Sequence, residues 1–114
     1  MKYQFRVPYF GELSENSYKL PNHATKPHVR KWMSQLASNI SNSKIEKAPN
    51  YIIGVHGFFA DERRPDLPNL FKVVLDAVAD GLNVNDKHFQ ARDDGHEVGY
   101  FKPELLITVE PRLS

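Results

Sequence analysis

Two separated aspartates with a lysine between them are the residues of this sequence best suited to chemistry on a phosphate. They are Asp66, Lys72 and Asp86. Mg²⁺ prefers oxygen ligands and keeps several waters, so one or two carboxylates and a substrate phosphate suffice to hold it. Lys72 would clamp the phosphate or stabilise charge on the phosphoryl group, while the metal activates water. The pattern predicts a metal-dependent site that acts on phosphates.

The same residues also have a structural interpretation. Asp66 can cap a helix, Lys72 and Asp76 have the i,i+4 spacing of an ion pair, and Asp86 can belong to a turn. The two candidate metal ligands flank a helix of about 12 residues, which spans about 18 Å. They meet only if the chain after Gly81 folds back, so spacing alone leaves both interpretations open.

The helix between the two aspartates is predicted from about Pro68 to Asp80 by apolar residues that recur at helical spacing. Asn69, Lys72 and Asp76 fall on another face, at i, i+3 and i+7. Gly81 is expected to end this helix. The apolar stripe consists of Leu70, Phe71, Val74, Leu75 and Val78.

The remaining elements give the order β-α-β-α-β-β. Strands are expected at residues 3–7, 51–60, 88–92 and 105–110, with a turn at 93–96. Another helix is expected between Thr25, as its cap, and Ser43, with Trp32 in the core. His56 is expected to be a core or sheet-face histidine, because no partner at metal-ligand spacing accompanies it. These elements argue a single α+β domain, residues 1–114, with a small mixed sheet packed with two main helices.

Charge is unevenly divided along the chain. Residues 1–49 hold eight Lys and Arg against three Glu, whereas residues 50–114 hold seven against eleven acids. A basic half beside an acidic half suits a polyanion on one surface and a cation on another, although solvated surface charge gives the same count. Lys19, Lys26, Arg30 and Lys31 are the candidates to contact a DNA backbone.

Composition narrows the class of protein further. The sequence contains no cysteine, which excludes disulfides, thiolate zinc sites and cysteine nucleophiles and agrees with a reducing compartment. No apolar run approaches the roughly 18 residues of a membrane span. We therefore expect a soluble cytoplasmic protein with no membrane partner.

The stretch from Arg63 to Asp86 resembles the core motif of the RusA-type Holliday-junction endonucleases. That family's pattern is approximately Arg-x-Asp-x-Asp-Asn-x-x-Lys-x-x-x-Asp-Ala-Leu, then an apolar segment and Asp-Asp. A looser match upstream is Ser14-Glu-Asn-Ser-Tyr18, which follows the first predicted strand. This chain reads Arg63-Arg-Pro-Asp-Leu-Pro-Asn-Leu-Phe-Lys-Val-Val-Leu-Asp-Ala-Val78, followed by Val84-Asn-Asp86.

The resemblance implies a small homodimeric α+β nuclease for recombination and repair, which binds four-way DNA junctions and cuts two strands symmetrically. It implies Mg²⁺ or Mn²⁺ held by Asp66 and Asp86, with Lys72 as a further catalytic residue and Asn69 and Asp76 in support. A two-fold dimer would present two equal sites to a junction of approximate two-fold symmetry. Arg63 and Arg64 join Lys19, Lys26, Arg30 and Lys31 as expected DNA contacts, and binding would depend steeply on salt.

Two positions depart from the family pattern. Pro68 stands where the family has its second motif aspartate, and Asn85 where it has the first aspartate of the downstream pair. The loss at Pro68 removes an anionic ligand. An alternative is therefore a relative that binds branched DNA or a recombination partner without cutting, and a third reading is an α+β protein with no nucleic-acid role.

Overall fold

A computed structural model describes residues 1–113 and confirms the α+β class and the predicted order of elements. Four strands form one mixed sheet, and two helices pack on one of its faces. Short 3-10 turns occur at Gly11–Leu13, Leu67–Leu70 and Asp86–His88. The main elements are β1 (Tyr3–Pro8), α1 (Pro27–Asn42), β2 (Asn50–Phe59), α2 (Phe71–Leu82), β3 (Phe89–Val98) and β4 (Glu104–Arg112).

The sheet order is β1-β4-β2-β3, so the last strand in the chain lies inside the sheet. β4 is antiparallel to β1 and to β2, and it places Ile107 between Phe5 and Val55. β3 is parallel to β2 and forms one edge of the sheet, and β1 forms the other. The helices of the two crossovers supply the second layer of the domain.

Side chains alternate between the two sides of the sheet along each strand, so the sheet has one face covered by the helices and one open face. The covered face packs against apolar side chains of both helices, and Trp32, which is 4% exposed, belongs to this core as predicted. Trp32 Nε1 donates to the carbonyl of Pro8 at 2.8 Å. His56 lies on the open sheet face, where its Nε2 is 2.8 Å from Glu97 Oε2. The strand residues of the core include Tyr51, Ile53, Val55, Leu105, Ile107 and Val109.

The expectation that Gly81 ends the second helix is wrong. α2 continues through Gly81 to Leu82, and Asn83 takes the left-handed cap conformation with φ 57°. Gly81 instead lies against α1, where an added Cβ would come 2.7 Å from the carbonyl oxygen of Ala37. Asn tolerates the left-handed region, so a glycine is needed for close helix packing here and not for the helix end.

Two further sequence expectations also differ from the structure. Residues 93–96, expected as a turn, lie inside β3, because main-chain pairing with β2 carries the strand on to Val98. The pairing shifts register between Val55 and Gly57, and Gly95 nearby has φ 87°. Thr25 does not cap α1, since Lys26 is the N-cap residue and its side chain makes no capping hydrogen bond.

Strand directions define two ends of the domain, which we call upper and lower. At the upper end β1, β2 and β3 finish and β4 begins, as the pairs Pro8–Glu104 and Phe59–Val98 show. α1 also begins there, with the rings of Phe10 and His28 5.5 Å apart. α2 follows β2 and runs to the lower end, where β3 begins. Both helices therefore start at the upper end.

None of the helices within residues 1–113 is both long and apolar enough to cross a membrane.

Candidate nucleic-acid interface

Asp66 lies at the upper end with its side chain 83% exposed. It precedes the 3-10 turn Leu67–Leu70, yet its carboxylate makes no capping hydrogen bond. The closest cation is Arg64, whose Nη1 is 3.7 Å from Asp66 Oδ1. Asp66 therefore occupies the N-cap position of this turn, but its carboxylate is accessible and makes no capping hydrogen bond.

A groove of about 460 Å³ opens beside Asp66 between the start of α2 and the second half of β3. His96 Nε2 is 3.2 Å from Glu62 Oε1, and the main-chain N–H of Gly95 donates to Asp93 Oδ1 at 2.8 Å. The groove thus combines carboxylate, imidazole, amide and guanidinium groups. It is lined by Arg64, Asp66, Leu67, Pro68, Asn69, Asp93, Gly95 and His96.

Arg64 forms one wall of this groove with its side chain 25% exposed. Its Nη1 donates to the carbonyl of Pro65 at 3.2 Å, and its Nε is 3.7 Å from Glu62 Oε1. That Nε is buried, and no acceptor in the described part of the chain takes a hydrogen bond from it. A buried donor without a partner is costly to the folded protein.

Lys72 and Asp76 form the i,i+4 pair that their spacing predicts, with Nζ and Oδ1 3.6 Å apart. The side chain of Lys72 is about half exposed. Such an exposed helix pair contributes only about 0.3–0.5 kcal/mol. Lys72 can therefore exchange Asp76 for a phosphate at small cost.

Asp86 lies at the lower end, in the 3-10 turn that leads into β3. The 12 residues of α2, which span about 18 Å, separate it from Asp66. One chain thus does not bring the two predicted metal ligands together. Among residues 1–113, no group of three or more His, Cys, Asp or Glu side chains is placed to hold a metal ion. Asp66 and Asp86 of a single chain therefore do not hold between them the one Mg²⁺ or Mn²⁺ that the sequence resemblance implies.

The six basic residues expected to contact DNA follow the upper ends of the strands or begin α1. Three are paired already, because Lys26 contacts Glu12 at 3.0 Å, Arg63 contacts Asp61 at 2.9 Å and Arg64 contacts two acids. The other three have no carboxylate within 4.0 Å in the part of the chain that the structure describes. These are Lys19, Arg30 and Lys31.

The start of both helices adds to the positive character of the upper end. Neither first turn contains an acidic residue, although acids usually occupy this position because the helix dipole is positive there. Glu12 lies at this end, where hydrogen bonds from Lys26 and His28 lower the pKa of its carboxyl group. Lys26 and His28 at the start of α1 therefore stabilise the carboxylate form of Glu12.

Sequence reasoning missed Asp93 and His96 in this groove. Their only sequence signal is a polar run at 93–96, which predicts a turn. Register with β2 brings them beside Asp66, and that pairing joins residues far apart in the chain.

No family model matches this chain, and no curated protein matches it.

Proposed function

We propose that this protein acts on four-way DNA junctions as a RusA-type endonuclease that depends on Mg²⁺ or Mn²⁺. The observation that carries the proposal is the grouping of motif residues and basic residues at the upper end of the fold. Asp66, Asn69 and Lys72 of the motif lie there beside the six basic residues and the starts of both helices. Phosphate recognition and the motif carboxylate are thus on one surface.

Cutting also requires the homodimer in this proposal. Asp86 is at the far end of α2, so a second copy would have to supply it to the end that holds Asp66. A two-fold axis would create two equal composite sites, as two symmetric cuts require.

Binding branched DNA without cutting is the second candidate. Pro68 favours it, because this side chain lines the groove where the family pattern has an aspartate. A proline in the first helical turn has little structural cost, since its missing N–H would have no partner there. The binding surface can thus persist while the carboxylate set is reduced.

The deciding experiment incubates the purified protein and a labelled four-way junction with Mg²⁺. We expect paired symmetric nicks from the unmodified protein and at least a hundredfold less cutting from Asp66→Asn. Asp80→Asn is the matched control, because Asp80 is an exposed carboxylate on α2, outside the groove. Equal nicking by Asp66→Asn and the control would show that the site assignment is wrong.

The same assay separates the two candidates. A gel shift without nicks supports binding alone, and Pro68→Asp would then be expected to give or raise Mg²⁺-dependent cutting. Absence of both shift and nicks at low salt would rule out both candidates.

A further inference from the structure

The most exposed large apolar side chain of residues 1–113 is Phe101, which is 95% exposed. It lies in the connection between β3 and β4, next to the partly exposed Tyr100. An aromatic ring in this position gains nothing from the core of the chain. Its surroundings therefore indicate which external partner it suits.

The main chain on both sides of Phe101 is held firmly. Gly99 turns the chain with φ 95°, and its N–H donates to the carbonyl of Ala60 at 3.1 Å. The N–H of Tyr100 donates to the carbonyl of Phe59 at 3.0 Å, and its hydroxyl donates to Glu97 at 2.8 Å. The connection is thus anchored to the end of β2, so Phe101 extends from a fixed base.

The position of this connection matches a nucleic-acid partner. Ala60, which anchors it, directly precedes the segment that carries Arg63 and Arg64. Lys102 follows Phe101 and is exposed, with no carboxylate within 4.0 Å among the residues described. A cation beside a protruding ring suits the phosphates and bases of DNA.

We propose that Phe101 stacks on a base exposed at the branch point of a DNA junction, while Lys102 contacts an adjacent phosphate. This inference rests on the proposed function. Phenylalanine side chains inserted at unstacked base steps are an established mode of contact with DNA. A continuous duplex offers no free base face, so Phe101 discriminates in favour of branched DNA.

The test compares Phe101→Ala, Phe101→Trp and the control Leu113→Ala, whose side chain is exposed at the lower end. The probes are a four-way junction with 2-aminopurine at its branch point and an unbranched duplex of equal length. We expect Phe101→Ala to weaken junction binding roughly tenfold and to lose the 2-aminopurine fluorescence change, with duplex binding unaltered. The control should match the unmodified protein.

Phe101→Trp keeps the stacking ring and supplies a reporter, because Trp32, the one native tryptophan, is buried. We expect its fluorescence to be quenched by the junction and not by the duplex. The inference would be overturned if Phe101→Ala bound the junction as tightly as the unmodified protein, or if the junction did not quench Phe101→Trp. It would also be overturned if Phe101→Ala had a lower sedimentation coefficient than the unmodified protein, because Phe101 would then be a contact between copies of the chain. Failure of the unmodified protein to prefer the junction over the duplex would instead overturn the proposed function, and this inference with it.

Discussion

Glu12 connects the long segment before α1 to the helix itself. Its Oε2 accepts a hydrogen bond from Lys26 at 3.0 Å, and its Oε1 contacts His28. These hydrogen bonds lower the pKa of Glu12, with the larger effect from Lys26. The carboxylate form is therefore favoured in the folded protein over the unfolded chain.

This lowered pKa predicts a pH-dependent contribution to stability. The contribution is complete above the unfolded pKa of about 4.3 and is lost as the pH falls through the lower folded value. Glu12→Gln should lower the melting temperature at pH 7, and the difference from the unmodified protein should shrink at pH 3. Glu15→Gln is the control, because Glu15 is exposed and takes no part in the contacts of Glu12 with Lys26 and His28. A difference for Glu12→Gln that stayed constant between pH 7 and pH 3 would contradict the prediction.

Residues of the candidate site differ in how far sequence could locate them. Asp66, Asn69 and Lys72 are close in the chain, so helical spacing alone groups them. Asp93 and His96 reach the same groove through the pairing of β3 with β2, which no local pattern encodes. Local spacing therefore located half of the groove, and the other half required the long-range register.

At the scale of elements, contact between α1 and α2 depends on the missing side chain of Gly81. An added Cβ would lie 2.7 Å from the carbonyl oxygen of Ala37 and 2.8 Å from Ile40 Cβ. Neither atom belongs to the flexible end of a side chain. The two helices could accept it only by moving apart.

Gly81→Ala is therefore expected to destabilise the protein, although alanine favours an isolated helix by about 1 kcal/mol over glycine. Forced overpacking costs about 1–3 kcal/mol, so the net change should be a loss. Urea unfolding measures this change in the free energy of unfolding. Gly11→Ala is the control, because nothing lies within 4 Å of a Cβ added there. If Gly81→Ala unfolds at a higher urea concentration than the unmodified protein, helix propensity outweighs the packing argument.

β3 shows why one strand was only half predictable. Its second half contains Asp93, Asp94, Gly95 and Glu97, residue types that disfavour strands. As an edge strand it has one neighbour, and charged residues there oppose pairing with other chains. The other strands carry alternating or continuous apolar residues, which is why their predicted bounds agree closely with the structure.

For the whole molecule, the shared direction of α1 and α2 has the largest effect on the proposed function. It gathers the basic residues at the upper end, and it leaves Asp86 at the lower end. In the homodimer that we propose, this separation means that each site takes Asp66 from one chain and Asp86 from the other. It can be tested by mixing two inactive variants.

Asp66→Asn and Asp86→Asn should each abolish nicking when they are pure. Refolded together, they form mixed dimers in which one composite site keeps both aspartates, so nicking of a single strand should return. The measurement is the nicking of a labelled junction in the presence of Mg²⁺. If the mixture stays inactive while each variant cuts nothing and still binds DNA, Asp86 does not complete the site from a second copy.

Salt dependence tests the basic surface separately from cutting. Each phosphate contact adds about 0.9 to the slope of log affinity against log salt. Arg30→Ala and Lys31→Ala should each reduce that slope by about 1, measured by fluorescence anisotropy with a junction in EDTA. Lys44→Ala should leave it unchanged, because Lys44 follows α1 at the lower end. Equal slopes for all three variants would place the DNA elsewhere.

The central position of β4 also determines when the sheet can assemble during synthesis. β1 pairs with no strand except β4 within the described sheet, and β4 is the last of these four strands to leave the ribosome. Domains generally fold as units as the chain emerges, at about 5–20 residues per second. Here the first strand must wait, unpaired, for the last. An incomplete chain can pair β2 with β3 and pack its two helices, but it cannot close the sheet.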